Sequence, residues 1–172
     1  MQRPQPGEYG PHHERYISLT DDPLLRLRDQ RREVVELFGG LSPDEAGYRY
    51  APGKWSLRQI LGHITDGDRV FGFRAYCIAR GETAPLPSFD QNVYVEGGRY
   101  DERTMPSLIS EFLAVRETLL QFYDSLDPEA LLRIGTASDV RVSVRAIAWI
   151  AAGHAEHHLR VVRERYRQPA PA

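Results

Sequence analysis

Apolar residues recur at helical spacing in four long stretches of the chain. Between about Asp22 and Phe38 the buried stripe reads Leu24, Leu27, Val34, Leu37 and Phe38. Asp22 is a good N-cap, Pro23 suits the first helical position, and Gly39-Gly40 stops the helix. A second helix opens at Ser56, which forms a capping box with Gln59, while Trp55 and Ile60 are placed to staple the entry. It is predicted to run to Arg80 and stop at Gly81. A third spans roughly Pro106 to Leu126, with Leu108, Ile109, Phe112, Leu119, Leu120 and Tyr123 on one face. Pro128 bars its continuation, and a short turn follows at Glu129 to Leu132. The fourth starts near Ser143 and runs to about Tyr166. No stretch alternates strongly as a strand would, although Val140-Arg-Val142 can extend briefly. Four amphipathic helices and no repeat predict an all-α four-helix bundle.

Two connections are long: Leu41 to Trp55, and Ala84 to Arg103. Long loops in a compact domain are usually functional or disordered. Phe89, Tyr94 and Tyr100 in the second argue for packing, so a lid over one end of the bundle is expected. The Pro- and Gly-rich residues 1–14 read as a loose arm, 15–167 as the bundle, and 168–172 as a frayed tail.

Composition narrows the function classes. A length of 172 residues suits one domain. The formal charge of −2 gives no field favouring nucleic acid or an anionic membrane. Cys77, the only cysteine, excludes an intramolecular disulfide and a thiolate cluster. The start lacks an apolar signal core, and Ala146 to Ala152 is far short of the ~20 residues that span a bilayer. A cytoplasmic protein acting on a small molecule is the expectation.

The candidate chemistry lies in the histidines. On the fourth helix, His154 and His158 sit one turn apart on the apolar face, about 6 Å along the axis. On the second, the stripe Ile60, His63, Gly67, Val70 turns His63 inward, with glycine leaving room beside it. A single inward histidine is more often a hydrogen-bonded core residue. Three on facing helices match the ligand set of an open metal site, with positions left for water or substrate. His157 is assigned beside the pair as a group facing substrate or supporting a ligand. His12 and His13, in the arm, are expected to be solvated.

Asp66, three residues after His63, can orient an imidazole or move a proton; a solvated helix residue is the alternative. Asp66 and His157 are thus the candidate catalytic groups. Arg74 falls on the inward row, where a buried arginine wants a carboxylate from protein or substrate; an internal salt bridge is the expectation. Cys77 reads as a small core residue. His154-Ala-Glu-His-His lacks the glutamate position of the zinc-protease motif, and Glu156 points away from the His154/His158 face. No phosphate-binding Gly-rich loop or nucleophile elbow is present. The Arg160, Arg163, Arg165, Arg167 group fits the helix dipole.

The run Lys54-Trp-Ser-Leu-Arg-Gln-Ile-Leu-Gly-His-Ile-Thr-Asp66, followed by Arg69-Val-Phe-Gly-Phe-Arg74, resembles the second helix of DinB-like proteins. Phe89-Asp-Gln91 and Gly153-His-Ala-Glu-His-His158 extend the resemblance, which covers about Tyr16 to Tyr166. It is most similar to the YfiT-like branch, described as metal-dependent hydrolases. The resemblance implies an up-down-down-up bundle with one divalent metal, zinc or nickel, on His63, His154 and His158. It also implies possible homodimers, and relatives that use low-molecular-weight thiols as cosubstrates. The resulting expectation is a metal-dependent hydrolase or thiol S-transferase; a non-catalytic metal-binding stress or interaction protein is the alternative.

Overall fold

The computed structural model describes residues 1–166; the tail expected at 168–172 lies outside the described residues. Helices α1 (Glu14–Ile17), α2 (Pro23–Phe38), α3 (Pro43–Gly47), α4 (Leu57–Ala79), α5 (Gln91–Gly97), α6 (Met105–Asp124), α7 (Pro128–Leu132) and α8 (Val144–Val161) follow in order. A π-type turn, Val162–Tyr166, extends α8. The four long helices are those the apolar spacing predicts. Asp22 accepts from the backbone of Leu24 and Leu25, at 3.0 and 3.2 Å. The Ser56/Gln59 capping box forms, Thr104 caps α6, and Ser143 caps α8.

Side-chain pairs give the direction of each helix. Arg26 on α2 meets Glu156 on α8, and Glu33 meets Arg163 seven residues further along both, so α2 and α8 run parallel. Arg28 near the start of α2 pairs with Asp124 at the end of α6, so these two are antiparallel. Ser56 at the head of α4 donates to Asp101 just before α6, so α4 and α6 are parallel. Tyr166 beyond α8 reaches the Trp55 carbonyl before α4. The order is up-down-down-up, with α4 packed on α6 and α8 and α2 packed on the same two.

Two apolar clusters fill the bundle. One gathers the first half of α8 (Ile147, Trp149, Ile150) with the later part of α4 (Phe71, Ala75, Ile78). The other gathers the start of α4 (Ile60, Leu61, Ile64) with Leu108, Phe112 and Leu159. Between them Arg116 is fully buried, its Nε 2.7 Å from Asp68 and its Nη1 donating to Gln30 Oε1 and the Leu27 carbonyl. This charged knot joins α2, α4 and α6 inside the core.

The connections are more ordered than their composition predicts. Val140–Ser143 (β2) pairs antiparallel with Ile134–Ala137 (β1) through a tight turn in which Ser138 and Asp139 have φ of 52° and 60°. Leu86 bridges to Ala137 at the hairpin's edge, and α5 lies inside the segment read as a loop. The arm is not loose. Glu8 accepts from Ser143 Oγ at 2.7 Å and forms an ion pair with the largely buried Arg145. These contacts hold the Glu8 carboxyl at about 2, the Arg145 hydrogen bond being the largest cause. Tyr16 then crosses α8 so closely that a Cβ on Gly153 would sit 2.0 Å from its carbonyl oxygen. Only glycine permits that approach.

Candidate metal centre

The seam between the two apolar clusters holds the histidines. His63 comes from α4, and His154 and His158 come from α8, one turn apart. Their ring centroids form a nearly equilateral triangle of 4.6, 4.7 and 4.8 Å. The Nε2 atoms converge: His63 lies 2.9 Å from His154 and 3.1 Å from His158. The three are the group that can hold a metal ion among the described residues. Trp55 packs on His63 at 4.6 Å, and Tyr16 and Phe71 stand edge-on to His154.

This packing fixes the protonation states. Burial pushes the His63 pKa down to about 4, with nearby His157 adding to the effect. Burial also lowers His154 and His158 well below the ordinary value, and the neighbouring imidazoles reinforce it. All three rings are neutral at neutral pH, as metal ligation requires. Hydrogen bonding cannot satisfy the triangle by itself. His63 Nε2 either donates one proton or offers one lone pair, so it can complete only one of its two contacts. A shared cation accepts all three lone pairs, so the donor set fits a divalent ion of the kind imidazole binds. His154 Nδ1 is buried without a hydrogen-bond partner. It faces Gly67, where a Cβ would come within 3.0 Å of it and 2.8 Å of Cε1. The glycine anticipated as space for a ligand is in fact space for the imidazole.

The other candidates fall at different distances from this point. His157 is exposed, its ring 5.1 Å from that of His158. It stands at the mouth of a cavity of about 290 Å³ that Trp55 and His158 also line. Asp66 is not in the cluster. It accepts from the Tyr100 hydroxyl and from Arg69 Nη1 at 3.4 Å, fastening the segment before α6 to α4. Burial nevertheless raises its pKa against those contacts. Glu156 points away from the imidazoles, as expected, into a network with Arg26, Arg160 and Arg163. Those ion pairs, more than the helix dipole, account for two of the C-terminal arginines.

Two further expectations are overturned. His13 is half-buried rather than solvated, and Arg74 forms no salt bridge among the described residues. Both line a second cavity of about 190 Å³, whose far wall is His63 and His154. Burial drives the His13 pKa to about 4, with His12, Arg74 and Arg15 adding to it. Phe89 and Gln91 also line this cavity, so part of the 84–103 segment borders the site. Among the described residues no helix is long and apolar enough to cross a membrane.

Comparison with known proteins identifies the family and the fold. The profile of the DinB superfamily matches residues 26–162. A protein of Oceanobacillus iheyensis, named "Putative metal-dependent hydrolase OB0413", is 23% identical over 143 residues, 79% of each chain. Among solved structures, YfiT from Bacillus subtilis, described as a probable metal-dependent hydrolase with an unusual four-helix bundle topology, superposes with a TM-score of 0.77. It is 13% identical, over 96% of this chain and 92% of that one. The mycothiol-dependent maleylpyruvate isomerase gives a TM-score of 0.68 at 13% identity, over 84% of this chain but only 61% of its own.

Proposed function

From the premise that this chain belongs to the DinB superfamily, we propose that it is a metal-dependent enzyme holding one divalent ion on His63, His154 and His158. The observation that carries the reading is the convergence of three neutral Nε2 atoms, on two buried imidazoles and one half-buried one, that cannot satisfy one another. Zinc and nickel are the ions proposed, since three imidazoles suit either. Such an ion supplies Lewis acidity and brings the pKa of a coordinated water or thiol toward neutrality.

The chain's own groups do the rest. Trp55, Tyr16 and Phe71 exclude bulk water from the imidazoles and hold their orientation. The cavities on the His154 and His158 sides give two approaches to one centre. Two approaches suit a reaction joining a small electrophile to a second reactant, either water in a hydrolase or a low-molecular-weight thiol in an S-transferase. His157, exposed beside His158, is the group proposed to exchange protons with solvent at its imidazole. Asp66 is the weaker candidate, because Tyr100 and Arg69 already occupy its oxygens.

The test is elemental analysis of the purified protein beside a His154→Ala variant, with an electrophile panel assayed with and without thiol. One metal per chain in the wild type and background in the variant supports the centre. Equal metal in both would overturn it. Turnover only with thiol identifies the transferase, turnover in water alone the hydrolase, and none in either condition a metal-binding protein without catalysis.

A further inference from the structure

Three arginines are buried among the described residues. Arg116, with no exposure, is paired with Asp68; Arg145, 8% exposed, is paired with Glu8. Arg74, 9% exposed, has no carboxylate partner among the described residues. Its Nη2 donates to the Pro87 carbonyl at 2.8 Å and to Ser138 Oγ at 2.7 Å, which uses both hydrogens on that nitrogen. Nε–H and Nη1 have no protein acceptor among the described residues. They are not sealed off either, since Arg74 lines both the 190 Å³ cavity and another of about 230 Å³ bounded by Phe73, Pro87 and Tyr94; the first is the one that reaches the histidines. The guanidinium carbon lies 5.5 Å from the centroid of the Phe89 ring. A buried cation without a counter-charge is costly, and two of three sites in this chain avoid that cost.

The rest of the cavity has the matching character. None of its lining residues is Asp or Glu. His13 contributes a buried Nδ1 with no hydrogen-bond partner. Phe71, Phe89, Ile147 and Ile150 make an apolar wall, and His63 and His154 form the side toward the candidate metal.

We propose that Arg74 is the anchor for a carboxylate on the substrate, with an apolar body directed along the cavity toward His63 and His154. The anchor is a positioning and specificity element: a charged group held by a fixed guanidinium fork sets which part of the molecule faces the imidazoles. The Ser138 and Pro87 contacts hold the fork still, so the hairpin turn and the 84–103 segment meet at this one side chain. The proposal rests on the metal-centre reading for placing the reaction at this end of the cavity. The anchor itself does not require the metal.

The test uses the full-length protein as purified, with metal content measured on every sample. Butyrate and benzoate are titrated calorimetrically, with butyramide and benzamide as uncharged molecules of the same shape. In the wild type each acid is expected to bind at least about tenfold tighter than its amide, the scale of one charge-assisted hydrogen bond. In Arg74→Met that preference disappears while metal content stays at the wild-type level; the melting temperature changes little, the removal of an uncompensated charge offsetting the two lost hydrogen bonds. A merely structural arginine would instead lower the melting temperature and leave the acid preference in place. No acid binding in the wild type, equal acid and amide affinity, or an acid preference that survives Arg74→Met would each overturn the proposal. Failure of the metal reading would be seen separately, as absence of metal in the wild type.

Discussion

Replacing Gly67 with alanine tests the metal centre without touching a ligand. The new Cβ would lie 2.8 Å from His154 Cε1 and 3.0 Å from Nδ1, with Phe71 Cε2 a further 0.4 Å out at 3.4 Å. Non-bonded carbons settle near 3.5–4.0 Å, so the imidazole must retreat by roughly 0.7 Å. A metal–ligand distance tolerates only about ±0.2 Å. The ring therefore leaves ligating range, or α4 and α8 spread to keep it. Metal affinity should fall about 10- to 100-fold, the loss typical when a group supporting a ligand is disturbed. Stability moves little by comparison. Alanine gains about 1 kcal/mol of helix propensity over glycine, against about 1–3 kcal/mol for overpacking a buried site. Gly72→Ala is the control, since its Cβ would meet only the flexible end of Leu119, at 3.3 Å. Competition with a chromophoric chelator, alongside thermal denaturation followed by circular dichroism, separates the two effects. Wild-type affinity in Gly67→Ala would refute the placement of His154 in the centre. An equal loss in Gly72→Ala would refute the steric argument.

Arg116→Met leaves the Asp68 carboxylate buried and unpaired, and should cost about 3–5 kcal/mol in urea denaturation. Converting Asp68 to leucine as well should recover part of that, because Gln30 and the Leu27 carbonyl still lack their donor; a single variant as stable as wild type would refute the knot. In metal-stripped protein, stability should fall as pH drops from about 6.5 toward about 4. In that window His63 and His13, with folded-state values near 4, bind fewer protons than the unfolded chain does. The shift of His63 from 6.5 to about 4 is of order 3 kcal/mol; urea midpoints that stay flat across this range would contradict its burial.

The bundle was legible because its determinants are local. Caps at Asp22, Ser56 and Ser143 and stripes of period 3.6 lie within a few residues of the helices they define. The triad was legible for a related reason: His154 and His158 share a helical face, and that face is the apolar one. What is not legible in the sequence depends on residues far apart in the chain. Glu8 is 137 residues from Arg145, and nothing near Glu8 signals that it draws the first residues onto α8. His13 consequently reads as solvated. Arg116 and Asp68 are charged residues on helices, a type most often solvated, and only the assembled bundle turns them toward each other. The hairpin was nearly invisible because Ser138-Asp139 fills its left-handed turn, where Asn-Gly would have announced it. Asp66 is a different case. Proximity to His63 in sequence suggested chemistry, whereas Tyr100 and Arg69 claim its oxygens.

The triangle of rings also joins parts of the chain 91 and 95 residues apart. An ion bound there is a tether between the second and last long helices, and because it binds the folded chain and not the unfolded one, its occupancy adds directly to the stability of the fold. Loading would thus govern the protein's lifetime as well as its chemistry: starved of the ion, a cell would lose the polypeptide to proteolysis before it accumulated an idle pool.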